Sequence, residues 1–229
     1  MKRTEVIQKI IDKIKARTYL EIGVSRGSNF FPIKIRRKIG VDPRFNFGSR
    51  KKIKWCCKNF YNLRARYYEM GSDSFFALDR LNSGVDVVFI DGLHTHQQSL
   101  KDVENSLRYL NPRGVIIMHD CNPQSEAAAC PAPPTNHAGV LNSQNWDGRW
   151  NGDVWKTICH LRSTRHDLNV FVLDCDQGLG IITQGKPEGV LSFTPAQIDE
   201  LLYKDLARDR KAFLNLKDES YLFEFLKTL

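Results

Sequence analysis

The chain has 229 residues, of which 41% are hydrophobic and 10% aromatic, so we expect one globular domain with a sizeable core. No segment approaches the run of about 20 apolar residues that spans a membrane, and the charged N-terminus does not resemble a secretory leader. The six cysteines lack the Cys-x-x-Cys spacing of zinc sites and the density of a disulfide scaffold, so we expect a cytoplasmic protein with reduced thiols.

Positive charge is concentrated at the start of the sequence. Residues 1–66 contain 19 Lys or Arg and 4 Asp or Glu, a net charge of +15, so the rest of the chain has −7 of the overall +8. The densest clusters are Arg36-Arg37-Lys38 and Arg50-Lys51-Lys52. Such clusters usually form a solvated face, and we predict that Arg36, Arg37 and Lys38 are solvated. The alternative is a surface that follows a phosphate backbone or another anionic partner.

Apolar periodicity predicts alternating helices and strands up to residue 118. Val6 and four isoleucines recur at helical spacing, which predicts an amphipathic helix over residues 3–16. The other predicted elements are strands at 18–22, 38–42, 66–70, 84–91 and 115–118, and helices at 28–36, after the 71–74 segment and at 97–110. Residues 44–65 have no clear pattern, and Asn111-Pro-Arg-Gly114 predicts a turn. The alternation indicates an α/β fold with a parallel, doubly wound sheet.

The pattern changes after residue 120. Residues 121–152 are rich in Pro and Asn and include Trp146 and Trp150, so we expect a loop there. A helix over 152–165 and two closing strands at 168–173 and 179–183 follow. With a helical tail over 194–229, these elements complete a single domain of residues 1–229.

A glycine turn follows the first strand. The pattern is Glu21-x-Gly23-x-x-x-Gly27, whereas a dinucleotide site requires Gly-x-Gly-x-x-Gly. A strand that ends in such a turn places free backbone N–H groups at the carboxyl edge of the sheet, where α/β proteins bind ligands. The acid suits a ligand with a cationic amino-acid end and no phosphate. A plain tight turn is the alternative interpretation.

The second strand ends in Asp42, about 20 residues after Glu21. An acid at this offset is placed to hold the hydroxyls of a ribose, because a carboxylate can accept hydrogen bonds from both. The alternative is that Asp42-Pro43 only marks a turn.

Two later strand ends supply acids and imidazoles. Asp91 and His94 follow the fourth strand, and His119 and Asp120 follow the fifth. Asp91, His119 and Asp120 form a candidate Mg²⁺ or Mn²⁺ site, because hard divalent ions prefer oxygen ligands. His94 can accept a proton from a hydroxyl near neutral pH. In the plainer interpretation Asp91 caps a helix and His119 is a hydrogen-bonded strand end.

These motifs resemble class I S-adenosylmethionine-dependent methyltransferases. Asp-Gly-x-His after the fourth strand and His-Asp after the fifth are similar to small metal-dependent O-methyltransferases, including the macrocin-type and mycinamicin-type sugar enzymes. Over residues 18–183 the resemblance implies a Rossmann-like, mostly parallel seven-stranded sheet and S-adenosylmethionine as cofactor. It implies cofactor contacts from Glu21, Gly23, Gly27, Asp42, Ser72, Asp73 and Asp91.

The same resemblance implies that Asp91 and Asp120 bind Mg²⁺ or Mn²⁺ and that His94 is the general base. His119 is the predicted third ligand, although those families have an acidic residue at this position. The expected reaction is O-methylation of a small molecule or glycan. Residues 121–152 would be the substrate lid, and Trp146 and Trp150 would contact the acceptor. Two alternatives remain open: an RNA methyltransferase that uses the basic N-terminal third, and a binding module without catalysis. The oligomeric state is left open, with a homodimer as one option.

Overall fold

The structure is a computed structural model that describes residues 1–81, 84–131 and 149–229. Most of the predicted 121–152 lid, with Trp146, lies outside the described residues, so its role stays a prediction. None of the described helices has the length and apolar character of a membrane span.

One mixed sheet forms the centre of the molecule. Its strands are β1 (Thr18–Ile22), β2 (Arg37–Asp42), β3 (Arg66–Glu69), β4 (Val85–Ile90), β5 (Leu110–Met118), β6 (Leu168–Leu173), β7 (Leu179–Gln184) and β8 (Leu216–Lys217). Among the described residues the strand order is β3-β2-β1-β4-β5-β7-β6-β8. Strands β1 to β5 are parallel, and β7 is antiparallel to both β5 and β6. The predicted parallel, doubly wound sheet is confirmed, with the two-residue β8 as an eighth strand beyond the seven expected.

The helices lie on both faces of this sheet. They are α1 (Arg3–Ile14), α2 (Ser49–Lys58), a 3₁₀ helix (Phe60–Arg64), α3 (Ser72–Ala77), α4 (His96–Leu107), α5 (Trp155–Thr164), α6 (Pro195–Glu200), α7 (Tyr203–Arg208), α8 (Arg210–Leu214) and α9 (Tyr221–Thr228). One core layer lies under α1 and α9, and the other includes Val103 of α4 and Ile158 of α5. Parallel strands buried on both faces read as continuous apolar runs, which explains why β4 was readily predicted.

The helix predicted near residues 28–36 is absent, and turns take its place. Pro32 has no backbone N–H and disfavours helical geometry at Phe31, so a helix cannot run through this segment. The buried Asn59 side chain donates to the Phe31 carbonyl at 2.9 Å and to the Ile33 carbonyl at 2.9 Å. Side chains therefore satisfy backbone groups that a helix would have satisfied internally.

The prediction that the Arg36–Lys38 cluster is solvated is wrong for Lys38. Arg36 is exposed and Arg37 half-buried, but only 1% of Lys38 is exposed. The Lys38 ammonium donates to the Ile33 carbonyl at 2.8 Å and to Asn62 Oδ1 at 2.7 Å. Burial lowers the pKa of Lys38 to about 7. Lys38 thus holds the irregular segment against the sheet and is not part of a charged surface.

The predicted turn at residues 111–114 also differs, because it lies within the long strand β5. The register of the β4–β5 pair shifts between Val85 and Val87, so the extra residues are absorbed there.

Candidate active site

A cavity of about 1080 Å³ opens at the carboxyl ends of β1, β2 and β4. Parallel α/β sheets bind ligands at this edge. Its lining includes seven of the predicted site residues: Glu21, Gly23, Asp42, Ser72, Asp73, Asp91 and His94. The other three, Gly27, His119 and Asp120, are not part of the described lining. One cavity therefore brings together most of the residues that the sequence predicts for the site, and their roles stay predictions.

Gly23 follows β1 and lies very close to the backbone of Asp91, which follows β4. Its φ is +86°, and a Cβ atom there would lie 1.9 Å from the backbone carbonyl oxygen of Asp91. No side chain fits, so this position requires glycine. Gly27 has a different role, because its φ of +71° and its N–H bond to the Val24 carbonyl at 2.7 Å close the turn.

Glu21 is a buried acid on the wall of the cavity. Tyr19 donates its hydroxyl to Glu21 Oε2, and Asn29 Nδ2 donates to the same oxygen at 2.9 Å. Burial raises the pKa of Glu21 to about 8. A cationic group in the cavity would favour the charged form of this carboxyl group.

Asp42 ends β2 and fastens the glycine turn. Its Oδ2 accepts the Ser25 N–H at 2.7 Å, and its Oδ1 accepts the Arg44 N–H at 2.8 Å. A carboxylate oxygen can accept more than one hydrogen bond, so Asp42 can still accept hydrogen bonds from a ligand in the cavity.

Ser72 and Asp73 lie at the other end of the cavity, in the first turn of α3. Gln98 Nε2 donates to Ser72 Oγ at 3.2 Å, to Asp73 Oδ1 at 3.3 Å and to Asp102 Oδ1 at 3.0 Å. Burial raises the pKa of Asp102 to about 6. Sequence reasoning missed Gln98 and Asp102, although their spacing of four residues on a predicted helix placed them on one face.

Asp91, His94 and Asp120 lie close together at one end of the site, which we call the reaction end after its predicted role. One ligand atom from each lies within 4.8 Å of the others. His94 Nε2 is 3.1 Å from Asp120 Oδ2 and 3.5 Å from Asp91 Oδ1. The backbone φ of Asp120 is +62°, an unusual conformation for a residue other than glycine. The fold thus maintains local strain where this carboxylate turns toward the cluster.

The orientation of His94 defines which nitrogen is available. His94 Nδ1 is 3.1 Å from the Trp150 carbonyl oxygen, and a carbonyl only accepts, so Nδ1 bears the proton. Nε2 therefore faces the two carboxylates. Burial lowers the pKa of His94, but the hydrogen bond to Asp91 and the charge of Asp120 outweigh it and raise the pKa. A cation at this point, either a proton on Nε2 or a metal ion, is electrostatically favoured.

His119 is buried against the same carboxylates. Its Nδ1 is 2.8 Å from Asp120 Oδ2 and 3.5 Å from Asp91 Oδ1, yet this buried atom has no well-aligned hydrogen bond within the described residues. His119 Nε2 lies 3.4 Å from Asp176 Oδ1. Burial lowers the pKa of His119, but Asp120, Asp176 and Asp91 together raise it well above the ordinary value.

Two charged residues of the site were not predicted. Arg3, in the first turn of α1, places Nη1 2.7 Å from Asp91 Oδ2 and Nε 3.2 Å from Asp176 Oδ2. Burial raises the pKa of Asp176, but His119 and Arg3 outweigh it and hold the pKa well below its usual range. The sequence marked residues 174–178 only as the link between two strands and offered no signal for Arg3. Both residues reach the site through tertiary contacts.

Trp150 packs on the reaction centre. Its ring is stacked on His94 with 4.8 Å between centroids, and its Nε1 donates to the Cys130 carbonyl at 2.8 Å. Trp155, which the sequence left unassigned to the site, is 1% exposed and belongs to the core.

Comparison with known proteins shows what this arrangement is similar to. Residues 20–121 match the family model described as a methyltransferase domain. The match spans 102 of the 229 residues. An uncharacterized protein of Acanthamoeba polyphaga mimivirus is 31% identical over 113 residues, which cover 45% of this chain and 51% of that protein. The match thus spans about half the length of this curated relative.

Solved structures extend the similarity beyond residues 20–121. A putative caffeoyl-CoA O-methyltransferase from Staphylococcus aureus matches with a TM-score of 0.55 and 18% identity over 80% of this chain and 82% of that chain. A putative O-methyltransferase from Klebsiella pneumoniae has a TM-score of 0.54 and 14% identity over 80% of each chain. The O-methyltransferase TomG from Streptomyces achromogenes, solved with S-adenosylmethionine, has a TM-score of 0.52 and 14% identity over 78% of each chain. These matches confirm the Rossmann-like methyltransferase fold.

Replacing Gly23 with alanine should lower the free energy of unfolding by about 2 kcal/mol or more, because the new methyl group overlaps the Asp91 carbonyl at a positive φ. Gly71→Ala is the matched control: Gly71 lines the same cavity, and an added Cβ there meets nothing within 4 Å. The control should change the free energy by less than about 0.5 kcal/mol. Urea unfolding followed by circular dichroism measures both. Equal stability of the two variants would contradict the proposed close approach.

Proposed function

We propose that the protein is an S-adenosylmethionine-dependent O-methyltransferase that methylates a hydroxyl group of a small molecule or sugar with the help of a divalent metal ion. The observation that carries the proposal is the position of Asp91, His94 and Asp120, which meet at the end of the cavity that the Gly23 turn borders. The match of residues 20–121 to a methyltransferase family model and the fold shared with O-methyltransferases support it.

In this proposal the cavity binds the cofactor along its length. S-adenosylmethionine supplies a methyl group bonded to a positively charged sulfur. Glu21 would face the ammonium group of the methionine part, and Asp42 would accept hydrogen bonds from the ribose hydroxyls. Ser72 and Asp73 would contact the adenosine, with Gln98 holding both of them in place.

The residues at the reaction end fit a hard divalent ion. Asp91 and Asp120 supply carboxylate oxygens, which are the ligands that Mg²⁺ and Mn²⁺ prefer. His94 Nε2 and His119 Nδ1 face the same two carboxylates, so either imidazole is a candidate third ligand. A bound ion would lower the pKa of the acceptor hydroxyl and orient it.

His94 is the proposed base, and its role depends on the charge of its neighbours. Burial lowers the pKa of His94, but the hydrogen bond to Asp91 and the charges of Asp120 and Asp91 outweigh it and raise the pKa. A cation that compensated these carboxylate charges would lower the pKa again, so that Nε2 could accept the proton of the acceptor hydroxyl. Because Nδ1 is bonded to the Trp150 carbonyl, Nε2 cannot be metal ligand and base at once. Trp150 then acts as a positioning residue that fixes the ring.

Methyl transfer itself needs alignment more than further chemistry. The acceptor oxygen must lie in line with the sulfur–methyl bond, and a fixed cavity that holds both reactants supplies this by proximity. The side chains around the cluster are buried or paired, so they are held in place before ligands bind.

The two alternatives have less support. The RNA hypothesis relied on the basic clusters, but Lys38 is buried and cannot contact a phosphate backbone. The binding-module hypothesis does not explain why Asp91, His94 and Asp120 lie together at the cavity.

One prediction of this proposal concerns the cofactor. Calorimetry should show S-adenosylhomocysteine binding at a micromolar Kd, about −8 kcal/mol. Since the pKa of Glu21 is about 8 in the free protein, the carboxyl is protonated at pH 6–7, and the ligand's ammonium must displace that proton. The affinity should therefore rise with pH, by up to about tenfold between pH 6 and 7, with proton release. Glu21→Gln should bind more weakly and without this pH dependence. An unchanged pH dependence in that variant would remove Glu21 from the account.

The second prediction concerns the reaction centre. Asp91→Asn and Asp120→Asn should weaken Mn²⁺ binding measured by electron paramagnetic resonance, and excess Mn²⁺ should partly restore turnover, because the amide keeps an oxygen but loses the charge. His94→Ala should retain S-adenosylhomocysteine binding and lose about 10²–10⁴-fold in rate. Asp167→Asn, at an exposed surface carboxylate paired with Arg165, is the control and should match the wild type. Full activity in EDTA together with a fully active Asp91→Asn variant would exclude the metal.

A further inference from the structure

The outward surface of α2 and the 3₁₀ helix exposes large apolar side chains. Ile53 is 65% exposed, Phe60 75% and Leu63 67%. The asparagines between them are buried instead, with Asn59 6% and Asn62 4% exposed. This reverses the usual distribution of apolar and polar residues in a globular protein. Clustered apolar side chains at the surface mark interaction sites more often than isolated ones do.

The packing of this segment explains how the apolar side chains are held outward. Asn62 Nδ2 donates to the carbonyls of Phe31 at 3.1 Å and of Trp55 at 3.2 Å, which fixes the 3₁₀ helix from below. The Trp55 ring stacks on Phe31 with 5.7 Å between centroids and 7° between planes. The inner side of the segment therefore supplies the contacts that hold it, and the outer apolar side chains remain largely exposed.

Positive charge surrounds these side chains. Residues 43–68 include no Asp or Glu and eight Lys or Arg: Arg44, Arg50, Lys51, Lys52, Lys54, Lys58, Arg64 and Arg66. On α2, Arg50, Lys54 and Lys58 are exposed and share one side at four-residue spacing, next to Ile53. This surface thus combines exposed apolar side chains with positively charged side chains around them.

We propose that this basic-apolar face, formed by Arg50, Ile53, Lys54, Lys58, Phe60 and Leu63, docks the protein on an anionic lipid surface. Its apolar side chains enter the boundary between headgroups and acyl chains, while its cations contact the phosphate and carboxylate groups of the lipids. The inference concerns where the protein resides and does not depend on the proposed methyltransferase reaction.

Charge and shape favour lipid over other partners. A twofold contact with a second copy of the chain would bring the same cations together, which Coulomb repulsion opposes. Single-stranded RNA is bound by exposed rings on which bases stack. Here the rings of Phe45, Phe47 and Tyr67 pack on one another at 5.2–5.8 Å, which leaves Phe60 and Tyr61 as the exposed rings of this segment. Ile53 and Leu63 offer no stacking surface.

The test is co-sedimentation of the full chain with vesicles. One set of vesicles is phosphatidylcholine alone, and the other contains added phosphatidylserine. The protein should bind the anionic vesicles at least about tenfold more tightly than the neutral ones, and added salt should weaken binding.

The variants separate the two components of the face. The Ile53→Ser, Phe60→Ser, Leu63→Ser triple variant should reduce binding about 10- to 100-fold. Arg50→Gln, Lys54→Gln, Lys58→Gln should remove the preference for anionic lipid. The matched control places serine at three exposed apolar positions elsewhere, Val190, Leu202 and Phe223, which are 53%, 55% and 50% exposed. This control should bind like the wild type, and thermal unfolding should show that every variant is folded.

Two outcomes would overturn the proposal. One is wild-type protein that does not bind anionic vesicles, or a folded apolar triple variant that binds them as well as the control. The other is tight binding of oligouridine that both triple variants lose while the vesicles remain unbound, which would assign the face to single-stranded RNA.

Discussion

The contact between the Gly23 backbone and the Asp91 carbonyl constrains the whole site. Gly23 N–H donates to the Val41 carbonyl at 2.9 Å, and Asp91 N–H donates to the Ile22 carbonyl at 2.8 Å, so the ends of β1, β2 and β4 are joined where the cavity opens. The turn proposed to bind the cofactor and the acid proposed to bind the metal therefore cannot move independently. Methyl transfer requires such fixed spacing between the two reactants.

The reaction end combines three carboxylates with three basic side chains in a largely buried setting. Asp91, Asp120 and Asp176 are each close to at least one of His94, His119 and Arg3. Such buried charges stay stable only as pairs. A divalent ion at Asp91 and Asp120 would add positive charge where His94, His119 and Arg3 already compensate the carboxylates. Asn151 Nδ2 also donates to Asp120 Oδ1 at 3.0 Å, so the unusual backbone of Asp120 is held from a second side.

Sequence patterns located the parts of this site that lie on regular elements. Gly23, Asp42, Asp91 and Asp120 follow apolar strands, so parallel alternation was sufficient to place them at one edge of the sheet. Patterns failed where side chains replace backbone contacts: Pro32 prevents the helix expected over residues 28–36, and Lys38 is buried among carbonyl groups. Arg3 contacts Asp91 and Asp176 across long sequence separations, and no local pattern encodes such contacts.

The most direct test of the account is a crystal structure of the full chain with Mn²⁺ and S-adenosylhomocysteine, with anomalous diffraction data that locate the metal. The account predicts an anomalous peak bonded to Asp91 and Asp120, beside His94 Nε2. It also predicts that the ligand's ammonium group lies at Glu21 and its ribose at Asp42. A ligand bound outside this cavity, or manganese absent from the two carboxylates at saturating concentration, would contradict it.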